Sequence, residues 1–497
     1  NPRLAQEQLR ADRVEVKGNQ SFSSGALKEH RYLKGYGWSQ DVLLGKDESV
    51  FDQSILSADL NRLTHFYQRE GYLYASLVAD ELDIDRRRGK VKIRITVEEG
   101  PPILVRRVAP SISASNTLDS LFVDSLVVSL LSKLHLAPDR RFRDESAHED
   151  IAAIYRLLAD QGYPYAEVSP NLAVDTVANR VDITWRISSG PKCFFGSVQI
   201  EGNKHISTDL IQRNVTVESG RVFRQSHLNA SQRDLIHLGA FEIATVTAGL
   251  TDDQHDTIPV RVNLREAPWF SAKFGAGYGT EDRFRVFTNS RLLGILGGAR
   301  RLGLFAKHSD LEPYHVRLQL TQPAFITPHT HLTVGPFIRR HDEPGFVLQR
   351  LGVETTIDHN FSSVTSASLG HTFERIDLDT SEVAETERSL EGIEELYNKS
   401  SILLGLTHDG SSPGFSPGRG LFAAATVKLS GIGLGSEYHF TRILVDLRHY
   451  QKAMGMVLAT RVQRGGINSP DEDDFVPIED RFYAGGSSSV RGWARAM

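Results

Sequence analysis

The chain has 497 residues (55.3 kDa), too many for one core and equivalent to about three or four domains of roughly 150 residues. With 57 basic against 62 acidic residues the net charge is −5, so no global basic field points to nucleic acid, and 24% charged with 40% hydrophobic residues excludes a disordered chain. The single cysteine, Cys193, rules out intramolecular disulfides and cysteine-built zinc or iron–sulfur sites, and reads as a small buried hydrophobe.

No run approaches the roughly 18 apolar residues of a membrane helix, and no charged-then-apolar leader opens at Asn1-Pro2-Arg3. That excludes helical spans only, because transmembrane β-strands alternate apolar and polar residues and keep the mean hydropathy ordinary.

In chain order, the first feature is a repeat. Val91 to Val97 alternates strictly into Gly100-Pro101, Val181 to Ile187 does the same into Gly190-Pro191, and Val260 to Arg265 runs into Ala267-Pro268. Each reads as a half-buried strand stopped by proline. Ahead of each stands a helical segment closed by glycine with an aromatic just beyond, and then another strand. These are Leu63 to Tyr67 before Gly71-Tyr72, Ile151 to Leu158 before Gly162-Tyr163, and Leu235 to Leu238 before Gly239-Ala240-Phe241. The glycine suits a left-handed helix end. Two units open alike, with Val14 to Asn19 and Val198 to Asn203 as short strands into Gly-Asn turns. The unit is strand, helix, helix, strand, strand, with two amphipathic helices covering one face of a small sheet.

After Pro268 the alternation has period two. Phe270, Ala272, Phe274, Ala276 and Tyr278 fall on one face and Ser271, Lys273, Gly275 and Gly277 on the other. The pattern recurs at Leu302 to Ala306, Val316 to Leu320, Leu421 to Leu429 and Ile443 to Leu447, with Arg301, Lys307, Arg317, Lys428, Arg442 and Arg448 on the opposite parity. Roughly eleven strands follow by this count. Two architectures share the pattern, a soluble antiparallel sandwich and a transmembrane barrel. Inward lysines and arginines on so many strands favour the barrel, whose wet lumen accepts them. The acidic stretches Asp377 to Glu395 and Asp471 to Asp480 read as solvated surface loops.

Near the end stands Arg481-Phe482-Tyr483-Ala484-Gly485-Gly486-Ser487-Ser488-Ser489-Val490-Arg491-Gly492-Trp493. Together with the three repeats, this segment resembles the BamA/TamA superfamily of outer-membrane barrels. Their periplasmic repeats are polypeptide-transport-associated (POTRA) domains, and their signature is Gly-Gly followed by Val-Arg-Gly-aromatic on a loop folded into the barrel. It matches at Gly485, Gly486, Val490, Arg491, Gly492 and Trp493, and a second family-like stretch runs from Leu406-Thr407-His408-Asp409 through Pro413 to Pro417-Gly418-Arg419-Gly420. A lumenal guanidinium needs a partner for its rigid fork of donors, and the resemblance gives Arg491 that loop-locking role.

The fold the resemblance implies is α+β repeats followed by an all-β region: POTRA domains at 12–102, 103–192 and 193–266, then a transmembrane antiparallel β-barrel over 267–497. It also implies closing strands after the loop, ending on an aromatic. The sequence stops at Met497, so the barrel is expected to lack its final strands. The implied function is outer-membrane protein assembly, closest to TamA by repeat number. POTRA domains bind unfolded outer-membrane or autotransporter-like clients by β-augmentation, and the barrel templates them on its first strand. Phe270, Phe274, Gly275, Gly277, Tyr278 and Gly279 would form that gate, its glycines either weakening the strand or making room in a curved wall. Expected partners are periplasm-spanning or lipoprotein accessory subunits and outer-membrane lipid, without nucleic acid, in a bacterial or organelle outer membrane with the repeats in the periplasm.

An enzyme is not expected. No phosphate loop or His-Glu-x-x-His is present, and the 18 histidines are scattered, so no metal or cofactor is expected. The alternatives are a two-partner-secretion export pore of the same superfamily and a soluble β-rich binding protein.

Overall fold

The computed structural model describes residues 9–31, 33, 51–85, 87–113, 117–280, 282–343, 346–379, 395–412, 414, 416–431, 435–453, 456–470 and 476–484. Residues 1–197 with 218–226 and 249–259 form one compact unit, and residues 198–217 with 227–248 and 260–497 form another.

Three small sheets come first. The elements are β1 (Arg10–Lys17), α1 (Ser24–Glu29), α2 (Gln53–Arg69), β2 (Ser76–Asp85) and β3 (Lys90–Glu98); β4 (Leu104–Ser113), α3 (Thr117–Leu131), α4 (Asp144–Ala159), β5 (Glu167–Asp175) and β6 (Arg180–Ser188); and β7 (Phe194–Glu201), α5 (Thr208–Arg213), α6 (Gln225–His237), β8 (Phe241–Ala248) and β9 (Thr257–Glu266). In each the third strand is central, giving orders β1-β3-β2, β4-β6-β5 and β7-β9-β8. The alternating segments are these central strands, with Val91, Ile93, Ile95 and Val97, then Val181, Ile183, Trp185 and Ile187, then Val260, Val262 and Leu264 buried on one face. Gly71, Gly162 and Gly239 have φ of +89°, +100° and +64°, the left-handed helix end their position predicts.

The inter-helix loops are held by one device. Asp59 of α2 accepts from Leu33 N (2.8 Å), and Asp150 of α4 accepts from His135 N (2.8 Å) and Leu136 N (2.9 Å). At the same place in α6, Ser231 accepts from Thr216 N (2.9 Å). These buried side chains satisfy backbone donors that no helix or sheet ladder reaches. One helix departs from expectation. α3 (TLDSLFVDSLVVSLL) carries no polar stripe, so Val123 and Val127 are buried while Leu121, Phe122 and Val128 are exposed.

The Gly-Asn turns also do matching work. Asn19 Nδ2 donates to Phe22 O (2.8 Å) and Asn203 Nδ2 to Ile206 O (3.0 Å). The turn amides are then collected by a carboxylate at the end of the central strand: Ser21 N donates to Glu99 (3.0 Å), and Lys204 N and Ile206 N donate to Glu266 (2.7 and 2.9 Å). Burial works to raise the Glu266 pKa, but the amides of Ile206, Lys204 and His205 and the His205 ring outweigh it and hold the group at about 2. Because the folded value lies below the ordinary one, the stability Glu266 contributes is complete above about pH 4.5 and is lost as pH falls towards 2. Acid titration of the unfolding transition is expected to show this loss, and Glu266→Gln to remove it from that window.

Cys193 is fully buried, as expected. Its N–H donates to Gly162 O (2.7 Å), as Ile103 N donates to Gly71 O (2.8 Å), so it occupies the place where one repeat meets the helix end of the one before. Burial, then the Asp256 charge, push its thiol up to about 11.

Eleven strands follow: β10 (Phe270–Gly279), β11 (Arg283–Leu293), β12 (Arg301–His308), β13 (Tyr314–Gln322), β14 (Thr330–Glu343), β15 (Phe346–Asn360), β16 (Thr365–Asp379), β17 (Leu396–Asp409), β18 (Gly420–Ser430), β19 (Phe440–Ala453) and β20 (Met456–Asn468). They form one antiparallel meander in sequence order, with β10 and β20 at its two edges. Directly opposed residues share a face. The register therefore runs a row Phe305, Arg317, Phe337, Gly352, Glu374, Lys399 across β12 to β17, with Lys428 opposed to Arg442 further on. The other face carries Leu351, Leu406 and Val462, exposed by 58%, 53% and 59%. A sandwich buries its apolar face against a second sheet. Here the apolar face is exposed, and on β15 to β18 it is the charged groups Arg350, Glu374, Lys399 and Lys428 that are covered, as in a barrel wall with lipid outside and a polar lumen. Among the described residues no helix is long and apolar enough to cross a membrane.

Candidate functional site

The residues expected to form a gate, Phe270, Phe274, Gly275, Gly277, Tyr278 and Gly279, all lie on β10, at the first edge of the meander. Ten consecutive pairs, Phe270↔Leu292 through Gly279↔Arg283, zip it to β11 without a bulge, and no strand covers its other edge among the described residues. Phe274 and Tyr278 project from the apolar face, 80% and 76% exposed. Gly275 lies opposite Phe287, whose ring occupies the space a Cβ would need. At Gly277 the nearest atom to a Cβ would be Arg285 Nε, at 3.1 Å. Cross-strand side chains thus fill the room these glycines leave.

Gly485, Gly486, Val490, Arg491, Gly492 and Trp493 lie outside the described residues. The segment leading to them is described, and it returns to the lumen face. A 3-10 turn, Ile478–Asp480, is closed by Tyr483 Oη donating to Ile478 O (2.8 Å) and Arg481 Nε donating to Val476 O (3.2 Å). Ile478 is buried among Leu348, Ile376, Leu378, Tyr397, Tyr438 and Phe440. Arg442 stacks on the Phe482 ring at 4.4 Å, and that ring lies over Gly465, where a side chain would collide with it.

The two carboxylates of this turn are not solvated, contrary to the reading of the 471–480 stretch as a surface loop. Lys399, fully buried on β17, donates to Glu479 and to Asp480 (2.7 Å) and faces Glu374 of β16 at 3.5 Å. Lys428 of β18 donates to Asp480 (2.6 Å), Arg350 Nε of β15 donates to Glu374 (2.7 Å), and Tyr397 Oη donates to Glu479 (2.8 Å). Turn closure and apolar cover take water away from the cluster, which leaves pairing as the only compensation for each charge. Of these groups, parity alone marked Lys428 as lumenal. Lys399, Glu374 and Arg350 were missed, and their shared face would have exposed them had the strand register been known.

A second cluster lies nearer the β20 edge. Asp446 accepts from Arg448 (2.7 Å) and Arg461 (2.8 Å), and Arg448 stacks on Phe422 at 4.7 Å. The stretch after Leu406 closes β17 and opens β18, where Asp409 accepts from Ser411 N (3.1 Å); Pro413 lies outside the described residues. His329 sits 3.6 Å from Asp234 of α6. No group of three or more His, Cys, Asp or Glu residues among those described could hold a metal ion.

Comparison with known proteins matches two kinds of domain to this arrangement. The Omp85 superfamily domain matches residues 295–496, and the POTRA pattern, described as a surface antigen variable number repeat, matches residues 10–100 and 194–267. Among curated proteins, the outer membrane protein assembly factor BamA of Nitratidesulfovibrio vulgaris is 22% identical over 97% of this chain and 59% of its own length. BamA of Neisseria meningitidis serogroup B is 21% identical over 53% of this chain and 32% of its own. The chain thus spans under two thirds of the length of these relatives. The crystal structure of BamA from Haemophilus ducreyi lacking POTRA domains 1–3 superposes with a TM-score of 0.58 at 19% identity, covering 78% of this chain and 75% of that one, a likeness of fold. The chain thus carries POTRA repeats ahead of an eleven-stranded antiparallel sheet that matches the Omp85 superfamily domain.

Proposed function

We propose that the chain is an outer-membrane protein assembly and insertion factor. Its repeats stand in the periplasm and bind unfolded barrel precursors by adding them as strands to open sheet edges. Its first barrel strand templates a client hairpin and releases it sideways into the bilayer. The observation that carries the reading is the succession of POTRA repeats and an Omp85 superfamily domain, which supports a kinship of role with the curated outer membrane protein assembly factors the chain resembles. An extended client would pair with the edge strand β10 by main-chain hydrogen bonds, which need little sequence preference. The exposed aromatics Phe274 and Tyr278 beside that edge are suited to the bilayer side of such an exchange. The work is done by hydrogen-bond exchange and apolar burial, so the reading requires neither a catalytic group nor a cofactor.

The assembly-factor names of the relatives favour a BamA-like role, while three repeats are the argument for a TamA-like one. Accessory subunits, periplasm-spanning or lipoprotein, would dock on the repeats. Depleting the chain is expected to lower the amounts of several unrelated outer-membrane barrel proteins, and a photo-crosslinker placed at Phe274 is expected to capture nascent barrel clients. Unchanged barrel levels would sink the proposal, and loss of a single secreted protein alone would assign a dedicated export pore.

A further inference from the structure

We infer that the ion cluster around Lys399 is a second anchor for the folded-back segment, separate from the Val490–Trp493 motif, with Lys399, Lys428, Glu479 and Asp480 as its positioning residues. The purpose of holding the segment rests on the assembly reading above, but the anchor itself does not.

Charge balance makes the argument. The wall supplies three cations, Arg350, Lys399 and Lys428, and one carboxylate, Glu374. The segment supplies the other two carboxylates, Glu479 and Asp480. With the segment in place the six groups are neutral. With the segment withdrawn the wall is left with a surplus of two positive charges and Lys399 loses two of its three carboxylates. The Asp446 cluster makes the contrast: its carboxylate and both arginines all come from the wall, so it has no stake in where the segment lies.

Geometry makes the docking all-or-none. Glu479 and Asp480 are neighbours in a turn closed on itself by Tyr483 and Arg481, so they enter and leave together. Glu479 engages β17 through Lys399 and Tyr397, while Asp480 bridges β17 and β18. Ile478 then seats in an apolar pocket beside them. Burial raises the cost of separating such charges well above that for exposed pairs, so the described segment stays seated on β17 and β18.

The test reads the position of the segment in the full-length protein in its membrane. Ile478 is buried when docked, so an Ile478→Cys parent is expected to react slowly with a membrane-impermeant maleimide, and the native Cys193, itself buried, gives a blank background. Lys399→Met, and separately Glu479→Gln with Asp480→Asn, are expected to raise the labelling rate at least tenfold. Glu479→Gln added to Lys399→Met should bring little further rise, because the two act through one contact. Asp446→Asn should leave the rate at that of the parent. In an Arg491→Ala background the same substitutions should raise labelling by a similar factor, as separate anchors require. The milder Asp480→Asn alone, with the heat-resistant folded band as a check on folding, covers the case in which Lys399→Met does not fold. Parent-rate labelling in the folded Lys399 and Glu479/Asp480 variants would overturn the inference, as would an equal rise from Asp446→Asn or loss of the effect in the Arg491→Ala background. Raised labelling together with undisturbed client levels on depletion would uphold the anchor while refuting the assembly reading.

Discussion

Lys399→Met is expected to destabilise the strand-rich region by about 3–5 kcal/mol, the usual cost of removing one partner from a buried ion cluster. The substitution keeps the volume and apolar stem, so the loss is one of charge. Glu374, Glu479 and Asp480, each less than a tenth exposed at the side chain, would face only Arg350 and Lys428. Adding Glu479→Gln restores neutrality and leaves the Arg350–Glu374 and Lys428–Asp480 pairs intact, so the double variant should recover a substantial part of the loss. Thermal unfolding in detergent, followed by the conversion of the folded electrophoretic band, measures both. A single variant that melts with the parent would mean the cluster is solvated in practice.

Gly18→Ala is the second large effect. Gly18 has φ +85°, and a Cβ there would collide with the Val97 carbonyl oxygen of the neighbouring central strand. Gly89, in the β2–β3 turn of the same repeat, has φ +64° but open space around it. Alanine at either position carries the left-handed cost of roughly 1–2 kcal/mol. Only Gly18 adds the displacement of a paired strand, for a total of roughly 2–5 kcal/mol. Hydrogen exchange across β1 and β3 should therefore quicken much more in Gly18→Ala than in Gly89→Ala. Equal effects would show that the close approach does not bear on stability.

Much of the fold was legible in the sequence because its determinants are local. Proline after an alternating run marked the three central strands, and glycine with an aromatic marked the three helix ends. Period two separated the lipid and lumen faces of strands such as Val316 to Leu320. Three features were not legible, each for its own reason. The apolar surround of α3 has no periodicity from which to assign a buried side. The role of Gly275 depends on Phe287, which only the β10–β11 register places opposite it. The Lys399 cluster joins residues 25 and 81 positions apart on separate strands and a turn, and parity assigns a residue to a face without saying what lies over it. Glu479 and Asp480 read as solvated for the same reason, since a run of acidic residues looks alike in a surface loop and in a loop returned to a lumen.

The joint between consecutive repeats has a bearing on how such an array can change. Gly71 O receives Ile103 N, and Gly162 O receives Cys193 N, so both joints share one main-chain hydrogen bond, flanked in the first by Arg141 and Arg143 on Glu70 and in the second by Ser226 N on Asp160. At Gly239 the space is taken instead by the guanidinium of Arg301, from the first residue of β12. The main-chain part of this coupling is indifferent to which copy follows, whereas the flanking pairs are not. Loss of a whole repeat by in-frame recombination would keep the main-chain bond but change the flanking pairs, and the last copy must in addition be compatible with an arginine. A chimera joining residue 102 directly to residue 193 would show whether the shared main-chain bond suffices to couple two repeats without their flanking pairs.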